Sequence, residues 1–327
     1  MKTFTREYRI YGEYPDQFSR YFSGKKPCVF DIEATGLDPS RCKVCLAAFL
    51  VRTDSGIRIT QFLSENHYEE NRVLRAMCDY LEKENIDYLI TFNGRAYDIP
   101  FVNRRLECTF PDKRISVFNF DLYRFLRKGS SLKSRVSSMS QMSLENYYGI
   151  FSDRNDTITG RESVALFDEY SLTGNSVIEK VILTHNREDV LQLHRLMFLS
   201  MDEPEDFDAA MAAHGFPSSD GRLVIRPFIS RQAKSLRICG EQLRDPVSAA
   251  YFPDSENPLT IQFNAESSSF QIDVPAGYHD GMFYIDTAPL GLDLSEDPDC
   301  VNGYLILSPR TINSVSLMIS DRIAQNI

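Results

Sequence analysis

The stretch at 27–32 is a short apolar run that ends in acids, Phe30-Asp31-Ile32-Glu33, and a run of that length stopping at charge has the form of a strand buried on at least one face. A second, longer run at 43–51 is rich in small and apolar residues, and 57–63 alternates apolar with polar, so the three together predict a strand meander. Between 67 and 84, Val73, Leu74, Met77, Tyr80 and Leu81 recur at helical spacing. A short strand over 88–92, punctuated by Asn93-Gly94, leads into a helix over 97–106. Another strand at 116–120 is followed by a basic helix and a serine-rich stretch at 130–143. A long helix is expected over 176–201, with Val181, Ile182, Val190, Leu193, Leu196 and Met197 as its buried stripe. Strands early and helices interleaved later make a mixed α/β layer fold over residues 1–201.

The texture changes after that. Residues 202–221 are rich in acids, proline and serine and are expected to form a linker. Beyond them, short alternating segments at 223–225, 259–264, 270–274, 282–285 and 304–307 predict a smaller, mostly antiparallel β domain over 222–327. A hairpin turn is expected at 266–269 and a closing helix from Ile312.

Charge follows the same division. The chain carries a net charge of −10. Residues 201–327 hold 19 acids against 8 bases, whereas the first 200 hold 27 acids and 28 bases. A neutral half that also carries a carboxylate cluster can still present basic ground to a phosphate backbone. Lys and Arg gather at Arg124, Arg127, Lys128, Lys133 and Arg135, with no acid between Tyr123 and Gln141. These are expected phosphate contacts, with Phe125, Tyr147 and Tyr148 near enough in sequence to stack bases or to pack in the core. The seven cysteines include one Cys42-x-x-Cys45 pair, with no second pair or nearby histidine to complete a zinc site, and they are expected to be ordinary thiols. No stretch has the length and apolarity of a membrane span or leader, so the expected address is cytoplasmic.

Three elements carry chemistry. Residues i and i+2 of a strand share a face, so Asp31 and Glu33 present two carboxylates together, and oxygen ligands of this kind suit Mg²⁺ or Mn²⁺. Asp98 stands at the start of the helix that follows Asn93-Gly94, where an acid also serves as a helix cap. His185 and Asp189, at i and i+4, share a face of the long helix. Taken singly, each has an ordinary reading as a solvated strand end, a cap or a helical hydrogen bond. Taken in chain order, they resemble the DEDD group of ribonuclease H-like 3′–5′ exonucleases, and most of all the YprB-like predicted exonucleases. The resemblance rests on Asp31-Ile-Glu-Ala-Thr-Gly-Leu, on Asn93-Gly with Tyr97-Asp98-Ile-Pro-Phe, on Phe120-Asp121-Leu122, on the run from Ser143-Leu-Glu-Asn to Gly149-Ile150, and on His185-Asn-Arg-Glu-Asp189-Val190. It covers roughly residues 25–200.

The resemblance implies a ribonuclease H-like mixed sheet flanked by helices, and a two-metal nuclease acting on single-stranded DNA or RNA. Asp31, Glu33 and Asp189 are implied to hold one Mg²⁺ or Mn²⁺ ion, Asp98 to help hold a second through water, and His185 to position the attacking water. Asn93 is an expected contact to the terminal nucleotide, and Asp121 an outer acid or a cap. His185 departs from the pattern. In this group, the spacing it has from Asp189 normally goes with tyrosine, while histidine stands one residue further off. An endonuclease of the same fold, and a catalytically silent nucleic-acid- or protein-binding scaffold, are the alternatives. For residues 222–327, docking of a protein partner, shielding of the site and buttressing of the first domain stay open.

Overall fold

The structure, a computed structural model, describes residues 1–9, 14–156, 158–254 and 257–326. The chain forms two compact units, Met1–Arg127 with Ser131–Glu203, and Lys128–Ser130 with Pro204–Ile327.

In the first unit β1 (Lys2–Tyr8), α1 (Asp16–Phe22), β2 (Pro27–Ala34), β3 (Val44–Thr53), β4 (Gly56–Leu63), α2 (Glu70–Lys83), β5 (Tyr88–Thr91), α3 (Asp98–Thr109), β6 (Phe118–Asp121), α4 (Leu122–Gly129), α5 (Gln141–Tyr147), α6 (Gly160–Thr173) and α7 (Ser176–Ser200) follow one another. The six strands lie in the order β1-β4-β3-β2-β5-β6. β2, β3 and β4 form the antiparallel meander, and β5 and β6 run parallel to β2.

Alternation along β2 decides what each face does. Phe30 and Ile32 enter a core with Phe49, Val73, Met77, Phe101 and Val102, which seats α2 and α3 on one face. Asp31 and Glu33, which alternate with them, therefore point to the other face. There a second core joins Leu46 and Leu63 to Phe167, Tyr170, Ile178 and Ile182 of α6 and α7. The expected stripe of α7 is buried at Ile182, Val190, Leu193, Leu196 and Met197, while Val181 is half-buried. Helix α6 was not anticipated from sequence. It buries only Ser163, Phe167 and Tyr170, too sparse a pattern to show helical period, and is started instead by a capping box from Thr159 to Glu162.

The second unit holds α8 (Phe207–His214), β7 (Phe216–Pro217), β8 (Leu223–Ser230), β9 (Ser235–Gln242), β10 (Ala249–Tyr251), β11 (Thr260–Asn264), β12 (Ser269–Pro275), β13 (Gly277–His279), β14 (Met282–Asp286), β15 (Cys300–Val301), β16 (Tyr304–Ile306) and α9 (Pro309–Ala324). They make two antiparallel sheets, ordered β10-β11-β12-β9-β8-β7 and β13-β14-β16-β15. The expected linker at 202–221 is corrected here. It carries α8 and β7, because Asp206 caps α8 through the Ala209 N–H and Phe207, Ala210 and Met211 are buried. Helix α9 begins three residues before Ile312, with Ser308 as cap and proline in its first turn. All seven cysteines are free and only Cys108 is exposed. No helix among the described residues is long and apolar enough to cross a membrane.

Candidate active site

Asp31 sits in a cross-strand row. It pairs with Ala48 of β3, which pairs with Gln61 of β4. This row lies on the sheet face that carries α7, whose Asn186 bridges Gln61 and Asp31. Gln61 Nε2 donates to Asn186 Oδ1 (3.0 Å) and to the Leu183 carbonyl (3.0 Å), and Asn186 Nδ2 donates to Asp31 Oδ2 (2.8 Å). One oxygen of Asp31 is thus held by a chain of neutral amides. The β2–β3 register then slips between Glu33 and Ala34, a bulge of the kind that re-aims side chains at a strand end.

The pairing of β2 with β5 stops at Val29 and Ile90, so the Ile32 N–H is left to donate to Asp98 Oδ1 at 3.3 Å. Asp98 opens α3 from a turn that Asp121 organises. The buried Asp121 carboxylate accepts from the backbone N–H groups of Asn93 (2.9 Å), Arg95 (3.1 Å) and Arg124 (3.2 Å). Asp121 therefore ties a turn and caps α4. Asn93 has a left-handed φ of 63°, and a β carbon at Gly94 would lie 2.5 Å from the Thr91 side chain. Gly94→Ala is expected to cost about 1–3 kcal/mol in a urea titration, and a change under about 0.5 kcal/mol would show that the turn yields freely.

Helix α7 supplies His185 and Asp189 from one face, as their spacing requires. The connection before α6 supplies groups that carry no sequence period. Arg154, with its side chain buried, donates to both oxygens of Glu145 (3.0 and 3.1 Å), to Asp156 Oδ1 (3.0 Å) and to Asp189 Oδ1 (2.6 Å). Asp156 Oδ2 in turn lies 2.6 Å from His185 Nδ1. That contact aims His185 Nε2 inward, where it stands 3.6 Å from Glu33 Oε1 and 3.6 Å from Asp189 Oδ2. Gln141 Nε2 reaches the Asp189 carbonyl at 3.0 Å.

Asp31, Glu33, Asp98, His185 and Asp189 line one cleft of about 1040 Å³, together with Asn93, Arg154 and Arg161. Its charge is unbalanced. Removal from bulk water, with the Asp189, Asp98 and Glu33 charges nearby, pushes Asp31 well above the usual carboxylate range. Burial raises Glu33 to about 7 despite His185, and raises Asp98 to about 7 against the hydrogen bonds it accepts. Burial works against charge on His185, but its bond to Asp156 and the Asp189 and Glu33 carboxylates win and raise it to about 9. Glu33, His185 and Asp189 each bring one ligand atom within 4.8 Å of the others. Oxygens and an imidazole nitrogen at that separation, in a cluster short of positive charge, are a donor set that fits a divalent cation.

The basic residues fall elsewhere. Among the described residues, those lining the cleft do not include Arg124 or Arg127. Arg124 uses its N–H on Asp121, and Arg127 reaches the Tyr123 hydroxyl at 3.2 Å. Lys128 belongs to the second unit, and Arg135 pairs with Glu203 and Tyr147. Phe125 is fully buried against Phe120, Tyr148 donates to Glu203, and Tyr147 is exposed. Sequence reading missed Arg154, Asp156, Asn186 and Gln61. The one signal for Asn186 was its place inside the His185–Asp189 motif.

No curated protein matches the chain. Among solved structures it is similar to the family B DNA polymerase from the hyperthermophilic archaeon Pyrobaculum calidifontis, at 17% identity and a TM-score of 0.43, covering 69% of this chain and 33% of the polymerase. The chain thus spans about a third of that protein's length. A model of the RNase H superfamily matches residues 28–200, more than half of the chain. That match opens on the strand bearing Asp31 and Glu33 and closes on the helix bearing His185 and Asp189, and the chain belongs to the RNase H superfamily.

Proposed function

We propose that the chain is a divalent-metal-dependent nuclease of the DEDD group, a 3′–5′ exonuclease of single-stranded DNA or RNA akin to the YprB-like predicted exonucleases. The observation that carries this reading is the convergence of Asp31, Glu33, Asp98 and Asp189, from one strand and two helices, on a single cleft. Like charges gathered this way destabilise a fold unless cations join them. Asp31, Glu33 and Asp189 would hold one ion and Asp98 would help to hold a second; bound there, the ions would supply activation of water and stabilisation of the leaving oxygen in displacement at phosphorus. Asn186 holds Asp31, and Arg154 holds Asp189, in position to do so. Asn93, on the cleft wall, contacts the terminal nucleotide.

Arg161 is exposed on the same wall, in the first turn of α6, and makes no ion pair among the described residues. It is the cation placed to meet a backbone phosphate. Arg161→Glu is expected to raise KM about tenfold with little change in kcat, and to reduce the slope of log affinity against log salt by about one. An unchanged salt slope would remove Arg161 from the substrate path.

The test of the activity is digestion of 5′-labelled single-stranded DNA and RNA with Mg²⁺, with Mn²⁺ and with chelator, beside an Asp189→Asn control. A ladder shortening from the 3′ end, lost in the control and in chelator, is the expected result. Internal cuts giving oligonucleotides would make it an endonuclease. A second reading, a catalytically silent binding protein, draws on the positive charge that Arg154 and His185 already bring to Asp189 and Glu33. Absence of cleavage by folded protein under every metal would favour it.

A further inference from the structure

We propose that His185 is itself a metal ligand, through Nε2, and that the site in consequence takes a nitrogen-accepting transition ion such as Mn²⁺ in preference to Mg²⁺. This rests on the nuclease reading of the cleft and replaces the water-positioning role expected for His185 from its resemblance.

Three observations converge. The His185 side chain is almost fully buried, so what its ring faces is set by the protein. Asp156 Oδ2, 2.6 Å from Nδ1, accepts the Nδ1–H and fixes the ring, so that Nε2 is directed into the cleft, where a metal ion would displace its proton. A histidine tied at one nitrogen to a carboxylate and open at the other is the arrangement that metal-binding histidines habitually show. Finally, Nε2 stands 3.6 Å from one oxygen of Glu33 and one of Asp189, too far to hydrogen-bond either but close enough to share one ion with bonds of about 2.1 Å. The opposite oxygen of Asp189 is held by Arg154, so Oδ2 is the one left to face Nε2.

The spacing anomaly then has a physical account. At four residues from Asp189, His185 lies directly over it on the helix, one turn away, so that both side chains meet the same point beside Glu33. Mg²⁺ favours oxygen donors and keeps its water, whereas imidazole nitrogen stabilises the later divalent ions. An imidazole added to the carboxylate ligands thus tilts selectivity away from Mg²⁺. Asp156 is a positioning residue in this scheme, acting through the ring it orients.

The experiment is Mn²⁺ titration of the full chain followed by electron spin-echo spectroscopy, which reads nitrogen-14 coupled to bound manganese. Wild-type protein is expected to bind Mn²⁺ with nitrogen modulation, and to bind it about tenfold or more tightly than Mg²⁺ by competition. His185→Gln is expected to lose the modulation and about tenfold or more of the Mn²⁺ affinity, with Mg²⁺ affinity altered less than about threefold. Asp156→Asn is expected to lower Mn²⁺ affinity about 10–100-fold. Bound Mn²⁺ with no nitrogen coupling in the wild type would overturn the proposal while leaving the metal site intact. Absence of any Mn²⁺ binding by folded protein would instead defeat the nuclease reading beneath it. The wild-type spectrum decides by itself should a variant fail to fold.

Discussion

Asp31→Asn is expected to abolish metal-dependent hydrolysis, by about 10³-fold or more, and at the same time to raise the melting temperature of the metal-free protein. The two effects have one origin. Asp31 is pushed well up by loss of bulk water and by Asp189, Asp98 and Glu33, so its ionised form is tolerated by the fold and not favoured by it. Asparagine keeps the shape and can still accept the Asn186 amide through its oxygen. It removes one of four clustered charges, for a gain of about 1–2 kcal/mol, or about 2–6 °C. Nuclease assays and thermal melts in chelator check this pair. A variant that lost both activity and stability would show that the carboxylate is structural.

The same logic gives a pH dependence with a definite sign. Glu33 and Asp98, each raised to about 7, keep protons in the folded state that the unfolded chain releases near its ordinary carboxylate values. Their contribution is complete at low pH and is lost as pH rises through 7. His185, raised from 6.5 to about 9, acts in the same direction above neutrality. The metal-free melting temperature is therefore expected to fall from pH 5.5 to pH 9, and saturating Mn²⁺ to flatten the slope. Carboxylates with depressed values, such as Glu69 at about 2, act only below that window. A profile equally flat with and without metal would contradict the charge imbalance.

Arg154→Met carries the largest expected effect on stability. Methionine matches the stem in length but leaves Glu145, Asp156 and Asp189 without the cation that joins them. Glu145 is fully buried, and an uncompensated charge there costs about 3–5 kcal/mol, or on the order of 10 °C. Arg154→Lys is not a mild change, since a single ammonium cannot address three carboxylates along three directions. Chemical denaturation measures the loss. Adding Glu145→Gln should recover part of it, and a loss below about 1 kcal/mol with no such coupling would show that water already screens the cluster.

What was legible in the sequence was what period and spacing encode. Two-residue alternation put Asp31 and Glu33 on one face, and the i, i+4 rule put His185 over Asp189. The meander, the two short strands after it and the long helix followed from apolar runs and helical spacing, but the parallel direction of those two strands did not. The groups that hold those side chains were not legible. Arg154 and Asp156 lie in an irregular stretch where no repeat ties position to direction, and Gln61 reads as one polar residue in an alternating strand. The second unit shows the same limit. Residues 202–221 look like a linker by composition, yet a single cap at Asp206 and a few buried apolar residues suffice to make α8. Composition reports averages over a segment, whereas capping is decided by one side chain.

The tethers on Asp31 and Asp189 bear on when order is established. Asn186 fixes an oxygen of the first and Arg154 an oxygen of the second, so both side chains have already given up their rotamer freedom. That loss, about 0.5–1.5 kcal/mol for each side chain, is incurred when the chain folds and not when anything arrives in the cleft. The unit is a preorganised receptor, and whatever binds there finds that entropy already spent.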